Sequence, residues 1–145
     1  MQPLQNLEAA DEGHLQIQEH RLWNGEGATV SEGLTYGAYI TTDLLGFEFG
    51  DVTATLSGNS IQNFDTGVLV TQTSPTGEDK AGGQATVSGS NNVIQHNATG
   101  AEGEPGTSVN LADNWWGCKK GPGNSPKCDS ATGTVAYTPW LTAKP

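Results

Sequence analysis

The chain is poor in positive charge and lacks long apolar runs. Its 145 residues include six lysines and arginines against sixteen aspartates and glutamates, which gives a net charge of −10. The phosphate backbone of DNA or RNA would repel such a chain, so we expect no nucleic-acid binding. No apolar run approaches the roughly 18 residues that a membrane-spanning helix needs. We therefore expect no membrane span.

Helical periodicity is also missing, and the hydrophobic fraction is low, at 34%. Glycine, by contrast, is abundant, with 20 residues, and Asn, Ser and Thr are frequent. A chain of this composition is either disordered or built from short strands joined by many turns. Four tryptophans and repeated β-branched runs favour the strands. The composition therefore predicts a single all-β domain.

Cysteine occurs only twice, at Cys118 and Cys128. Two cysteines alone do not complete a zinc site, and the three histidines lie far away in the sequence. A disulfide fits better, because the intervening residues are rich in Gly and Pro and have no apolar side chain to hold them in place. Loop entropy gives such a bridge roughly 3 kcal/mol. A disulfide implies an oxidising compartment, so we expect an extracellular or cell-surface protein.

A weak internal repeat runs along the chain. Its units share an apolar residue in a short strand, then a polar turn with Asn, then one or two further apolar residues. A coil of about 22 residues with loops of variable length explains the uneven spacing. Stacked coils would bury the apolar residues against one another, and stacked Asn amides would hydrogen-bond in a column. The predicted inward column is Ile17, Leu56, Val87 and Val109, and the predicted Asn column is Asn59, Asn92 and Asn114.

Second strands and projecting loops follow from the same pattern. Residues 36–40 and 66–70 both place a Gly before an apolar strand, and we expect the two segments to be equivalent. Two segments rich in Gly, Pro and acidic residues, 74–83 and 100–106, are predicted to be loops that project from the wall of the coils.

The C-terminal part carries the most specific pattern. It contains Asn-Trp-Trp-Gly at 114–117, Gly-Pro-Gly at 121–123 and Pro-Trp-Leu within 137–141. Over residues 108–143 it resembles the closing segment of secreted bacterial and archaeal right-handed parallel β-helix proteins of the pectate-lyase-like superfamily. The first residues of the chain lack the basic and apolar regions of a signal peptide, so a secreted protein with this sequence would be a mature or excised form.

The resemblance and the repeat together predict a right-handed parallel β-helix of about four coils. It would have an N-terminal extension at 1–14, coils at 15–117, and a disulfide-stapled cap loop with a final strand at 118–145. Trp115 or Trp116 would pack against that final strand. The N-terminal end shows no comparable cap signal, so its end coil would be open. The alternative is an antiparallel β-sandwich, which also consists of many short strands with turn signals.

The resemblance also implies two kinds of chemistry. Lyases of the superfamily use Ca²⁺ held by carboxylates together with a basic residue, and Arg21 is the only arginine of this chain. The related glycoside hydrolases use several carboxylates on one face, and no such grouping stands out in the sequence. We therefore assign no catalytic, cofactor-binding or metal-binding residue, although Ca²⁺ could bind. Trp115 and Trp116 are the candidate glycan contacts.

The leading hypothesis from the sequence is a non-catalytic extracellular module with a structural, adhesive or glycan-contacting role. Its partners would be polysaccharides or cell-surface components. The first alternative is a fragment of a polysaccharide lyase or hydrolase, since the sequence leaves the question of an enzyme open. The second alternative is a subunit that self-associates end to end into filaments through open ends of the coils.

Overall fold

The structure is a computed structural model that describes residues 7–10, 14–16, 35–44, 47–48, 50–72 and 83–145. Within these residues the regular elements are short β-strands, which confirms the all-β prediction. None of the described residues belongs to a helix long and apolar enough to cross a membrane. The strands are β1 Leu7–Ala10, β2 His14–Gln16, β3 Tyr36–Thr41, β4 Asp43–Leu44, β5 Phe47–Glu48, β6 Val52–Ser57, β7 Ser60–Gln62, β8 Thr66–Thr71, β9 Ala85–Ser90, β10 Val93–Gln95, β11 Thr99–Gly103, β12 Ser108–Asn110, β13 Ala131–Gly133 and β14 Val135–Ala136.

Two five-stranded sheets contain most of the strands. The first sheet has the order β1-β6-β9-β12-β14, and the second sheet has the order β13-β11-β8-β3-β2. β7 and β10 form a small parallel sheet, and β4 and β5 form an antiparallel pair. The ladders at the centre of both large sheets are parallel. The antiparallel β-sandwich is therefore wrong.

The three sheets recur in a fixed order along the chain. β6, β7 and β8 are followed by β9, β10 and β11, and each strand pairs in parallel with its counterpart. A third set consists of β12, Trp115 and β13, in which Trp115 forms a parallel bridge with Val93. We call each set a repeat. The predicted equivalence of 36–40 and 66–70 is confirmed, since β3 pairs with β8 in that register.

Alternation of buried and exposed residues builds the core. In β6, Val52, Ala54 and Leu56 are buried, whereas the two threonines between them are exposed. Successive side chains of a strand point to opposite faces, so one face of each strand supplies the core. The inward residues of the three sheets form one hydrophobic cluster that extends across the repeats. It also includes Ile40, Val68, Ile94, Leu111 and Trp116.

The prediction of an inward column is right that its described residues face the core, and partly wrong about which residues pair with each other. Leu56, Val87 and Val109 are all buried, and Val109 pairs with Val87. Val87 pairs on its other side with Ala54, however, and Leu56 pairs with Gly89. The alignment is therefore shifted by two positions between the first two repeats. Such a shift keeps every side chain on the same face, so the apolar pattern alone does not reveal it.

One of the predicted loops is a strand. Residues 100–106 include most of β11, which lies between β8 and β13 in the second sheet. Its small residues are typical of a loop, but a Cβ at Gly100 would lie 2.8 Å from the carbonyl of Ser130 in the next repeat. Glycine is needed there for the close approach of two strands. Predictions were also made for Ile17, Arg21 and the loop 74–83. Ile17, Arg21 and most of that loop lie outside the described residues.

The two ends of the sheets differ from the prediction. β1 and β2, from the segment expected to be an extension and the start of the coils, pair antiparallel with β6 and β3 and cover the outer edges of those strands. At the other end the last strand is β14, and residues 137–141 are not a regular strand, so the predicted Pro-Trp-Leu strand is wrong. This segment still lies along the preceding repeat, because Leu141 N donates to Asn114 O at 2.9 Å.

Candidate functional site

Asparagine side chains join the repeats at the first bend, which lies between the first sheet and the small sheet. Asn59, Asn92 and Asn114 occupy this bend and are buried. The Nδ2 and backbone N of Asn59 donate to Asn92 Oδ1 at 3.2 and 2.9 Å. The Nδ2 and backbone N of Asn92 donate in turn to Asn114 Oδ1, both at 2.8 Å. The predicted Asn column is therefore confirmed, and it provides partners for buried backbone groups.

A residue in the left-handed conformation precedes each of these asparagines. Gly58, Asn91 and Asp113 have φ angles of 67°, 57° and 55°. Gly adopts this conformation without a steric penalty, and Asn and Asp adopt it more readily than other residues. Each repeat thus turns at a left-handed residue that is followed by a buried Asn.

A second column stands at the second bend, between the small sheet and the second sheet. Asn97 Oδ1 accepts a hydrogen bond from the backbone N of Phe64 at 3.0 Å, and Asn97 Nδ2 donates to Asp129 Oδ2 at 2.7 Å. The backbone N of Asn97 also donates to both Asp129 oxygens, at 3.3 and 3.1 Å. Asn63 and His96, which precede the first two members, are left-handed, with φ angles of 68° and 60°. Both bends therefore combine left-handed residues with hydrogen bonds between polar groups of successive repeats.

Asp129 is a buried carboxyl group, with 6% of the residue exposed. Burial raises the pKa of this carboxyl above its ordinary value, while hydrogen bonds from Asn97 and the proximity of His96 act in the opposite direction. Both oxygens accept hydrogen bonds from Asn97. The side chain therefore links two repeats, as the amides do at the first bend.

A disulfide joins Cys118 and Cys128, whose Cα atoms are 5.1 Å apart, so the predicted pairing is confirmed. The residues from Cys118 to Cys128 form what we call the disulfide loop, which interrupts the third repeat at the second bend. Trp140 Nε1 donates to Lys119 O at 3.2 Å. Gly121 leaves room for the indole ring, since a Cβ there would lie 2.5 Å from Trp140. The loop is therefore fixed by a covalent bond and by an aromatic side chain.

An open cleft of about 570 Å³ separates the disulfide loop from the second bend. One wall consists of residues 96–98, and the other consists of residues 123–130. Asn124 on the second wall is held in place, because its Nδ2 donates to Lys120 O at 3.0 Å. The volume lies within the range of about 300–1,000 Å³ that is common for ligand sites.

Positive charge is concentrated in the disulfide loop. Lys119, Lys120 and Lys127 are three of the six basic residues of the chain, and the loop contains no acidic residue. All three side chains are exposed. None of them forms an ion pair with a carboxylate of the residues that the structure describes. The loop is therefore a positive patch on a molecule of net charge −10.

Only one of the two tryptophans predicted to contact glycans reaches the surface. Trp115 is partly exposed, whereas Trp116 is completely buried and belongs to the core. The two point to opposite sides because they are adjacent in an extended segment. Trp116 packs against Tyr137 with ring centroids 6.4 Å apart, which confirms the predicted contact with the C-terminal segment. A buried ring offers no surface to a glycan, so Trp116 is not a contact residue.

The second column and the cleft were not found from the sequence. Phe64 and Asn97 are 33 residues apart, and Asn97 and Asp129 are 32 apart, but the second separation includes the disulfide loop. The third member is Asp129, which differs in type from Asn97 and directly follows the disulfide loop. For this reason the sequence does not reveal that Asp129 and Asn97 are equivalent. Among the described residues no group of three His, Cys, Asp or Glu side chains could hold a metal ion. No family model, curated protein or solved structure matches this chain.

Proposed function

We propose that this chain is a non-catalytic module of an extracellular protein, with a structural, adhesive or glycan-contacting role. Its fold would be a right-handed parallel β-helix of the pectate-lyase-like superfamily. The recurrent order of the sheets, the parallel pairing of equivalent strands and the Asn column support this fold.

The observation that carries the structural role is the use of polar side chains at the bends. Asn92 and Asn97 each contact both neighbouring repeats, and the carboxyl of Asp129 accepts hydrogen bonds from Asn97. Buried polar networks of this kind make a packed structure rigid when their members are satisfied. In this module the buried acid and amides hold the repeats together.

The disulfide supports the extracellular location. Such bonds persist in oxidising compartments and are rare where glutathione keeps thiols reduced. Mass spectrometry of the protein isolated from its own cells without reductant should show Cys118 and Cys128 joined. Two free thiols in that material would contradict the location.

The absence of turnover is tested with a panel of acidic and neutral polysaccharides. We expect neither new reducing ends, which a hydrolase would produce, nor the ultraviolet absorbance of the unsaturated sugars that a lyase would produce. Cleavage of any polysaccharide by the purified protein would overturn the non-catalytic proposal. Loss of that cleavage in Asp129→Asn, which keeps the side-chain shape and removes the acid, would assign the activity to this carboxyl.

A further inference from the structure

The disulfide loop combines charge, rigidity and an adjacent cleft, and no structural role found above uses its lysine side chains. One short loop of a strongly acidic molecule contains half of the basic residues of the chain, Lys119, Lys120 and Lys127. Their ammonium groups are exposed and have no carboxylate partner among the described residues. Unpaired charges of one sign on a surface of the opposite sign attract ligands of the opposite charge.

The loop presents these charges from a fixed backbone. Besides the disulfide and the Trp140 contact, Gly123 N donates to Asp129 O at 3.0 Å, and Cys128 N donates to Ser125 O at 2.9 Å. A preorganised loop loses less conformational entropy on binding than a mobile one. The charged surface is thus built before a ligand arrives.

The adjacent cleft supplies groups that suit hydroxyl-bearing rings. Its walls include the exposed side chains of His96 and Asn124 and the partly exposed Ser125, which can donate and accept hydrogen bonds. Asp129, the carboxyl in the cleft, has both oxygens engaged by Asn97 and is 6% exposed, so its oxygens offer a ligand little surface to contact.

Two other classes of anionic partner fit less well. A membrane surface would need apolar side chains to insert, and the disulfide loop has none between its cysteines. A nucleic acid would meet three lysines and a net charge of −10. A short anionic sugar needs only a local patch and polar groups beside it.

We propose that the disulfide loop and the cleft beside it form a binding site for acidic glycans, in which the lysines contact carboxylate or sulfate groups and the cleft receives a sugar ring. The inference rests on the proposed glycan-contacting function and gives it a ligand class and a location. The anionic groups could be those of uronic acids or of sulfate esters, and the experiment separates the two.

The test measures binding by isothermal titration calorimetry at low ionic strength. The probes are a galacturonate trimer, a sulfated heparin-derived tetrasaccharide and a neutral galactose trimer. We expect one or both acidic probes to bind the oxidised protein, and the neutral trimer to bind more weakly. Replacing all three loop lysines, in Lys119→Gln/Lys120→Gln/Lys127→Gln, should weaken acidic binding by about tenfold, since exposed ion pairs are individually weak.

The matched control is Lys144→Gln, which removes one positive charge at an exposed position outside the loop. It should bind like the parent, and the melting temperature of the triple variant should stay close to that of the parent. Equal affinity of parent and triple variant, equal loss in the control, no binding of either acidic probe, or tighter binding to anionic vesicles or to a DNA oligomer would each overturn the proposal. These outcomes are distinct from polysaccharide cleavage or free thiols, which would contradict the proposed function itself.

Discussion

Buried amides at the first bend contribute hydrogen bonds in both directions along the stack of repeats. Asn92 accepts from Asn59 through Oδ1 and donates through Nδ2 to Asn114 and to Leu56 O. Removing it would leave several buried donors and acceptors without partners. An unsatisfied buried polar group costs about 1–3 kcal/mol, more than a typical hydrogen bond contributes. The position is therefore more sensitive than its single amide suggests.

We expect Asn92→Ala to lower the free energy of unfolding by about 3 kcal/mol or more, because the loss affects several groups. Denaturant unfolding of the variant and the parent measures the change. Asn110→Ala is the matched control, since Asn110 is exposed and its Oδ1 accepts a local hydrogen bond from Ala112 N. The control should cost less than about 1 kcal/mol. Similar losses in both variants would show that the column contributes no special stability.

The pKa of Asp129 predicts a dependence of stability on pH. Burial raises the pKa of this carboxyl in the folded state, so the folded protein binds its proton more readily than the unfolded chain. The resulting contribution to stability is largest at low pH and falls as the pH rises through the raised folded pKa. Asp129→Asn removes this contribution and keeps an oxygen for Asn97.

The melting temperature of Asp129→Asn relative to the parent should therefore increase as the pH rises from below 3.8, the ordinary pKa of Asp, towards neutrality. Melts of both proteins across this range measure the difference, in which the other carboxyl groups cancel. A relative loss of stability in the variant as the pH rises would show that the Asn97 hydrogen bonds favour the charged form more than burial disfavours it.

Residue types predicted one column and missed the other. At the first bend three asparagines, each after a left-handed position, make the equivalence visible in the sequence. At the second bend the members are the backbone N of Phe64 and the side chains of Asn97 and Asp129. The disulfide loop directly precedes Asp129. The backbone N of Phe64 donates, and the carboxyl of Asp129 accepts, where the first bend uses side-chain amides. The types of these residues therefore do not show that they are equivalent to Asn.

At the scale of strands, close backbone approach between repeats depends on glycine at the second bend. A Cβ at Gly67 would lie 2.5 Å from Gly100 O and 3.2 Å from Ile61 Cγ2. The nearest of these atoms is a backbone oxygen in a paired strand, which has little freedom to move. Equivalent glycines stand at Gly37 and Gly100, so the approach is a repeated feature of the second sheet.

Gly67→Ala should accordingly destabilise the protein by about 1–3 kcal/mol, the usual cost of overpacking a well-packed site. Gly50→Ala is its control, because a Cβ at Gly50 would meet no atom within 4 Å. Thermal or denaturant melts compare the two. A loss for Gly67→Ala no larger than that for Gly50→Ala would contradict the close approach of these strands.

The disulfide should stabilise the C-terminal segment more than the central repeats. Removing it in Cys118→Ser/Cys128→Ser restores chain entropy to the unfolded state, worth up to roughly 3 kcal/mol for a loop of this length. The hydrogen bonds of Gly123 N and Cys128 N depend on the loop, whereas those of the central strands do not.

Amide hydrogen exchange would locate the effect of this double variant. We expect faster exchange at Gly123 and Cys128, with Leu56 and Val87 amides close to their rates in the oxidised parent. An unchanged melting temperature and unchanged exchange in the loop would show that Trp140 and the local turns hold the segment without the covalent bond.

Strand positions were predicted better than strand registers. The apolar alternation identified inward residues, and Leu56, Val87 and Val109 are all buried. The same alternation does not change when a strand shifts by two residues. It therefore predicts Leu56 beside Val87, whereas Leu56 pairs with Gly89. The composition of β11 predicts a loop, although the segment is a strand. A strand made of small residues that allow close packing has the same composition as a loop.

The excess of negative charge on the protein disfavours the compact state through self-repulsion. Added NaCl screens this repulsion over about 10 Å at 0.1 M. We therefore expect the melting temperature at neutral pH to rise between low salt and about 0.1 M NaCl. Near the isoelectric point of about 4.4 the rise should disappear. A fall with salt at neutral pH would mean that favourable ion pairs outweigh the net repulsion.

The parallel pairing of equivalent strands was predictable from the repeat, while the antiparallel edge was not. β1 and β2 reverse the chain direction relative to β6 and β3, and neither has a turn signal or an apolar pattern distinct from those of the parallel strands. Pairing direction depends on the path of the connecting chain, which a short strand sequence does not encode.

The spacing of the Asn column has an evolutionary consequence. Asn59 and Asn92 are 33 residues apart, whereas Asn92 and Asn114 are 22 apart, yet both pairs make the same hydrogen bonds. Length therefore varies between equivalent strands, as in 72–84 after β8 and 104–107 after β11, and also at the second bend, where the disulfide loop is inserted, while the hydrogen-bonded columns continue across the repeats. Insertions and deletions at such positions leave the hydrogen-bonded columns in place, so evolution can change these segments, and with them recognition properties, without changing the fold.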